Sequence, residues 1–278
     1  MNITVIGLGL IGGSMAIDLK KRNFANKIFG VDNNKKHAET AIKMKIADEI
    51  TDLDTGIKNA DIIITATPLD ACLKLLPEIL DKINEQTVID VCSAKHAVCN
   101  SVKSHPKRKY FVASHPMAGT EHSGPQAAVS HLFDGKTTFL CNTEKNTKKA
   151  VETAKKIYKT LNMKLIKTDD ISHDIHAAFV SHISHISSFA LALTVLEKEK
   201  DEKHIFNMAG GGFKSTVRLA KSSSDMWTPV LEQNAANIIE VINTYTEKLQ
   251  EFKHAISEKN RNKINSLILE ANKIKRII

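Results

Sequence analysis

Aromatic residues make up only 5% of this 278-residue chain, with one tryptophan and three tyrosines. A surface that grips nucleic acid by stacking bases is therefore poorly supplied. Lys and Arg outnumber Asp and Glu by 39 to 31, a formal net charge of +8. Acids are interleaved with the lysines, so the excess reads as a solvated basic surface rather than a nucleic-acid stripe. The four cysteines, Cys72, Cys92, Cys99 and Cys141, form no CxxC pair and no regular framework. That excludes a disulfide scaffold and fits free thiols in a reducing compartment. Apolar runs are short as well: the longest spans residues 189–196, against about 20 for a membrane helix, and no basic, then apolar leader precedes the first strand. The expectation is a cytoplasmic protein with no membrane and no nucleic-acid partner.

What is present is an ordinary globular balance, 42% hydrophobic and 25% charged, long enough for two domains. The pattern changes near residue 168. Before it, β-rich runs at 3–6, 28–31, 62–65, 88–91, 111–113, 138–141 and 165–166 alternate with helix-period segments such as 14–22, 71–83 and 148–161. This alternation predicts an α/β domain over 1–168, a parallel sheet with helices on both faces. After it, only helical patterns remain, which predicts an all-helical domain over 169–278. Residues 171–196 are apolar on most faces and read as a helix enclosed on all sides. Leu231, Ala235, Ile238, Ile242, Tyr245, Leu249, Phe252 and Ile256 follow steps of three and four. Ile264, Leu267, Ala271, Ile274 and Ile278 resume the spacing after a polar break. These are apolar seams to be buried either within the chain or against a second copy.

The first strand runs directly into Gly7-Leu8-Gly9-Leu10-Ile11-Gly12, a full GxGxxG ahead of a helix. Gly7 permits the tight turn, Gly9 lets a pyrophosphate approach the backbone and Gly12 lets helix and strand pack closely. Leu10 and Ile11 open the helix whose N-terminus attracts phosphate. Asp32 stands about twenty residues beyond Gly12, at the end of the second strand, where a carboxylate takes both ribose hydroxyls and repels a 2′-phosphate. The expected cofactor is NAD rather than NADP. Thr67 and Pro68 follow the next strand at the same sheet edge, where ligands of open α/β sheets bind. Ser93 follows the strand after that, as a hydroxyl in the crevice or as a helix N-cap. The next strand delivers His115, held by Pro116 and well placed for proton transfer. His182 and His185 share a helix face, near His173, Asp174 and His176. No carboxylate or cysteine completes a zinc set there, so no metal is expected. Gly212 belongs to a glycine-rich turn followed by Arg218 and Trp227. Arg218 suits either a bidentate grip on a carboxylate or a surface salt bridge.

Together "VIGLGLIGGS", "SHPMAGTE", "HDIHAAFVSHISH" and "GGGFKSTVRLAKSSSDMW" resemble, in order and over nearly the whole chain, the prephenate/arogenate dehydrogenase family of tyrosine biosynthesis. The resemblance implies a Rossmann-type NAD-binding domain followed by an all-helical dimerisation domain, and so a homodimer. It implies oxidative decarboxylation of prephenate to 4-hydroxyphenylpyruvate, with arogenate as the alternative substrate. Carried over by position, His115 matches the histidine that takes the proton of the substrate's ring hydroxyl. Ser93 matches the serine that orients that hydroxyl and the nicotinamide, and Arg218 the arginine that holds a substrate carboxylate. Glu121 matches an acid of the gate at the site mouth. His185 matches a second active-site histidine supported by His182, with Gly212 and Trp227 in the substrate-binding block. Two positions depart: the family often has aspartate at the position of Ser215, and "SDP" where this chain has Ser223-Ser224-Asp225. The lysine-asparagine helix motif of β-hydroxyacid dehydrogenases is missing. A non-enzymatic sensor of dinucleotide and tyrosine is the remote alternative.

Overall fold

The computed structural model describes residues 1–202 and 204–277. Ile278, the last member of the second seam, lies outside them. By its contacts the chain forms two compact units, Met1–Asn234 and Ala235–Ile278.

The first unit is built on an eight-stranded sheet. In chain order the elements are β1 (Asn2–Ile6), α1 (Leu10–Lys21), β2 (Lys27–Val31), α2 (Lys35–Lys43), β3 (Glu49–Ile50), α3 (Leu53–Asn59), β4 (Ile62–Thr65), α4 (Leu69–Lys82), β5 (Thr87–Asp90), α5 (His96–Ser101), β6 (Phe111–Pro116), β7 (Thr137–Cys141), α6 (Lys148–Thr160) and β8 (Lys164–Thr168). Their order across the sheet is β3-β2-β1-β4-β5-β6-β7-β8. All neighbours are parallel except β6 and β7. The apolar runs expected as strands form the middle of this sheet. β4 and β5 are buried along their whole length, as strands covered on both faces must be. One core face gathers Ile3, Val5, Met15, Leu19, Ile64 and Tyr158, and the other Ile63, Leu76, Leu80, Val88, Phe111 and Trp227. The two-residue β3 was not expected: it is too short for a visible period, and Glu49 on it is exposed. The short helices α2 and α3 gave little apolar pattern but have clear caps. Asn34 accepts from the amides of Lys36 and His37, and Asp52 from that of Thr55.

From Asp170 the chain is helical, through α7 (Asp170–Ala177), a π-helical stretch Ala178–His182 and α8 (Ile183–Asp201), then α9 (Gly211–Thr216) and α10 (Ser224–Gln233). The expectation of a fully enclosed helix over 171–196 is corrected. Phe179, Val180, Leu193 and Leu196 are 45%, 67%, 66% and 51% exposed, because only one side of the helix meets this chain. Judged by length and a mean hydropathy of 1.5 alone, Asp170–Lys200 is also long and apolar enough to cross a bilayer, which the count of uninterrupted apolar residues did not show. Trp227 and Val230 of α10 join the sheet-domain core beside Leu69 and Cys72. Contacts therefore divide the chain after Asn234, later than the change of sequence pattern at 168.

The second unit is α11 (Ala235–Ser257) packed on α12 (Arg261–Ala271). The turn between them places Lys259 at φ +51, and the Asn260 side chain accepts from the Lys263 amide. The first seam is not carried by one helix: Leu231 belongs to α10, and the helix restarts at Ala235. Tyr245, Leu249, Ile256 and Ile274 remain 41–59% exposed.

Candidate active site

Because β1, β2, β4, β5 and β6 are mutually parallel, everything that follows their carboxyl ends lies along one sheet edge. That edge collects Gly7–Gly12, Asp32, Thr67, Pro68, Ser93 and His115.

The turn after β1 fits a dinucleotide by shape. Gly7 has φ +91, and a Cβ there would come 2.6 Å from the carbonyl oxygen of Ala66, so any side chain is excluded. A Cβ on Gly12 would meet the Gly7 carbonyl oxygen at 2.1 Å and Val5 Cγ1 at 3.0 Å, which is the close helix-on-strand approach expected of the third glycine. A Cβ on Gly9 would meet nothing within 4 Å, so the approach to its backbone is open. Gly9 gives α1 no side-chain cap and its first turn carries no acid, so the first amides, those of Leu10 and Ile11 included, are free for phosphate oxygens. The Asp32 carboxylate accepts from the Leu8 amide at 2.9 Å and the Asn34 amide at 2.9 Å, which fixes it at the edge of the turn. Thr67 Oγ1 is buried without a partner among the described residues, and Pro68 starts α4 beside it. An open glycine, an anchored carboxylate and an orphaned hydroxyl fit NAD.

His115 lies inside β6, which runs to Pro116 rather than ending at 113. It is 7% exposed. The strand beneath it is locked: Ser114 donates its amide to Asp90 Oδ1 at 3.0 Å, and Lys95 Nζ donates to the Ser114 carbonyl at 2.7 Å while pairing with Asp90. The Ser114 hydroxyl also meets Tyr158. His115 Nδ1 is 2.9 Å from His173 Nε2, and His173 Nδ1 is 2.8 Å from Asp174 Oδ1. No protein hydrogen bond is made by His115 Nε2 among the described residues, so this nitrogen is left for a ligand. Burial holds the His115 pKa well below the ordinary histidine value, assisted by His173, Lys95 and His182. It is therefore a neutral ring at pH 7.

Ser93 is half-buried between β5 and α5. The alternative role of helix cap is not its own: Lys95 occupies that position, and the caps come from Asp174, which accepts the amides of Lys95 at 2.7 Å and His96 at 2.9 Å.

The helices supply the opposite wall. His182 is fully buried, with Nδ1 3.2 Å from Asn234 Nδ2. Its Nε2 is buried without a partner among the described residues, as is Trp227 Nε1. Burial lowers the His182 pKa to about 4. Trp227 meets His182 edge-on at 5.8 Å and lies over His185 at 3.6 Å, ring centre to ring centre. His185 is also held below its ordinary pKa, by burial first and by the nearby Arg218 charge. Arg218 opens a short 3-10 turn. It is half-exposed and donates to Glu121 Oε2 at 2.9 Å, so the salt-bridge alternative is the contact present here. The Glu121 pKa is lowered by its backbone contact and by Arg218. Gly212 lies exposed in α9, and its carbonyl accepts from Thr216 within that helix. Ser215 is exposed there too.

Two features went unread in the sequence. Asp90 and Lys95 lie five residues apart and His173 and Asp174 are adjacent, but the burial of both pairs and the contacts of Lys95 with Ser114 and of His173 with His115 come only with the fold. Cys72, Asp90 and Cys92 also converge within 4.8 Å in the buried core. The cation of that cluster is Lys95, on Asp90, and the Cys92 thiol is pushed up by its contact with Cys72 and by burial.

The family profile described as "Prephenate dehydrogenase, nucleotide-binding domain" matches residues 15–167, and "Prephenate dehydrogenase, dimerization domain" matches residues 169–270. A prephenate dehydrogenase of Lactococcus lactis is 33% identical over 98% of this chain and 76% of its own length. The crystal structure of an Aquifex aeolicus prephenate dehydrogenase with hydroxyphenyl propionate and NAD+ superimposes with a TM-score of 0.85 at 29% identity, covering 100% of this chain and 97% of that one. A Synechocystis arogenate dehydrogenase superimposes with a TM-score of 0.75 at 25% identity, covering 99% of each chain.

Proposed function

Because this chain belongs to the prephenate dehydrogenase family, we propose that it carries out the oxidative decarboxylation of prephenate to 4-hydroxyphenylpyruvate with His115 as the base. It is an NAD-dependent oxidoreductase. The observation that carries the reading is His115: a buried, neutral imidazole at the end of β6, its Nδ1 engaged and its Nε2 free, on the same sheet edge as the dinucleotide turn.

NAD, when bound, supplies the acceptor for the hydride leaving C4 of the substrate ring. Gly7, Gly9, Leu10, Ile11 and Gly12 would hold its pyrophosphate, Asp32 its ribose hydroxyls, and Thr67, Pro68 and Ser93 the nicotinamide end. His115 Nε2 takes the proton of the C4 hydroxyl, so the C4–O bond becomes a carbonyl. The bond from the ring carbon to its carboxylate then breaks, CO2 leaves and the bonding pair enters the ring. The resulting phenolate recovers its proton from His115. Aromatisation makes the step effectively irreversible. Ser93 orients the hydroxyl, and Arg218 exchanges its Glu121 partner for a substrate carboxylate. His185 and Gly212 line the remaining wall, with Trp227 stacked on His185 and the buried His182 behind them. These groups act by alignment.

The same reading takes 1–168 as the cofactor domain, 169–278 as the dimerisation domain and the protein as a cytoplasmic homodimer. The open apolar side of α8 and the exposed seam of α11 and α12 support a second copy as their cover. The first half of the 170–200 helix carries His173, Asp174, His182 and His185, which argues against a bilayer. The Synechocystis likeness keeps arogenate as a second reading. NADH formation with prephenate and with arogenate, in parallel, tests both. Turnover on arogenate alone would move the substrate, and silence on both with NAD bound would overturn the enzyme reading. Light scattering tests the dimer, and a monomer at micromolar concentration would overturn it.

A further inference from the structure

From the chain of contacts His115–His173–Asp174 we infer that His173 and Asp174 are positioning residues that fix the proton of His115 on Nδ1 and so leave Nε2 as the base. The inference rests on the proposed role of His115. With His173 as a neutral ring the hydrogen bonds permit one assignment, whereas a doubly protonated His173 would donate to His115 Nδ1 and put the hydrogen of His115 on Nε2, the outcome that the experiment below separates. Asp174 is buried and accepts the amide of Lys95 on Oδ1 and the amide of His96 on Oδ2. Burial opposes its ionisation, but the hydrogen bonds from His173 and these two amides bring its pKa below the ordinary carboxylate value. An ionised carboxylate only accepts, so His173 Nδ1, 2.8 Å away, carries the hydrogen. A neutral His173 then offers Nε2 as an acceptor. The facing His115 Nδ1, 2.9 Å away, must donate. The lone pair of His115 is left on Nε2.

The groups facing His115 are His173 from α7, His182 from the π-helical stretch and Lys95 from the loop after β5. Lys95 is committed to Asp90 and the Ser114 carbonyl, and His182 to Asn234. Neither competes for His115 Nδ1. His115 and His173 meet nearly edge-on, with rings 5.1 Å apart and 63° between their planes. Phe139 closes the other side of His173 at 5.5 Å, so the ring cannot easily turn away. Asp174 has a second consequence. The same carboxylate that orients His173 caps the start of α5, immediately after Ser93. One buried group thereby aligns both the base and the hydroxyl proposed to orient the substrate.

The test is the tautomer itself. In protein labelled with 15N-histidine, long-range proton–nitrogen correlations identify which ring nitrogen of His115 is protonated, with His115→Asn assigning the signal. The expected wild-type form is Nδ1–H with Nε2 unprotonated. His173→Leu, which offers no acceptor, should shift His115 toward the Nε2–H form and lower kcat by about 10- to 100-fold. The KM for prephenate and the affinity for NAD should stay within about threefold of wild type. His173→Gln, whose amide oxygen can still accept, should recover part of kcat. An Nε2–H His115 in the wild type overturns the inference, as does a folded His173→Leu with wild-type kcat. If His173→Leu does not fold, the wild-type spectrum alone decides. Failure of wild-type protein to oxidise prephenate would instead overturn the proposed function, and the ligand-free spectrum would still report the tautomer.

Discussion

The two walls of the candidate site are held in opposite ways. On the sheet wall, His115 is 7% exposed and sits above the buried Asp90–Lys95 pair, with Ser114 and Tyr158 tied into the same network. On the helical rim, Arg218 is half-exposed on a short 3-10 turn, tied to the site by its ion pair with Glu121. A proton-transfer group needs a fixed ring in low dielectric, where burial keeps it neutral. A carboxylate-binding group can remain in water and exchange one anionic partner for another, since an exposed ion pair is weak and easily replaced. On the proposed roles, the difference separates alignment for chemistry from capture of substrate.

That contrast can be broken at its strongest point first. His115→Asn should lower kcat by about 10²- to 10⁴-fold while leaving the KM for prephenate nearly unchanged; steady-state NADH formation is the measurement, and a near wild-type rate would remove His115 from the base role. The buried histidines carry a stability signature that falls between about pH 6.5 and pH 4. His182 titrates near 4 in the folded chain and near 6.5 when unfolded. As pH falls through this window the unfolded chain takes up a proton that the folded chain refuses. Stability should therefore be full above about 6.5 and drop by about 3 kcal/mol by about pH 4. Urea midpoints against pH would show it, and the same slope in His182→Gln would assign it elsewhere. Arg218→Ala should raise the KM for prephenate by roughly 10- to 100-fold, the scale of a lost charge-assisted pair, with a smaller change in kcat. An unchanged KM would leave Arg218 only its salt bridge. The smallest effect belongs to Glu121→Gln. Freed from its competitor, Arg218 should bind the substrate carboxylate more readily, lowering KM by about two- to five-fold, and a raised KM would show that Glu121 itself helps to hold the substrate.

The parts of the site that were legible in the sequence are those whose requirement is local. Gly7 must adopt φ +91 against the Ala66 carbonyl and Gly12 must tolerate a carbonyl in its side-chain position, so only glycine will do at either place. Asp32 and His115 are marked by their position at strand ends. The His173–Asp174 pair was visible as two letters without a role, because its partner His115 lies 58 residues away and no periodicity links them. The open side of α8 was misread for a related reason: an apolar pattern records that a face must be covered, not whether this chain or another covers it.

By itself, the amino-acid sequence determined the strand and helix alternation of the α/β domain, the dinucleotide turn, the shift to helices after residue 168 and the residues from which a site could be made. Those properties follow from backbone conformation and side-chain period, which are set within a few residues. The tertiary structure decided which of these groups meet. It buried Lys95 on Asp90, turned Asp174 into both a helix cap and the anchor of His173, paired Arg218 with Glu121 and stacked Trp227 on His185. Some of these contacts, Asp174 with Lys95 and Arg218 with Glu121, join residues far apart in the chain, and all of them draw on desolvation and geometry that exist only once the sheet and helices have packed.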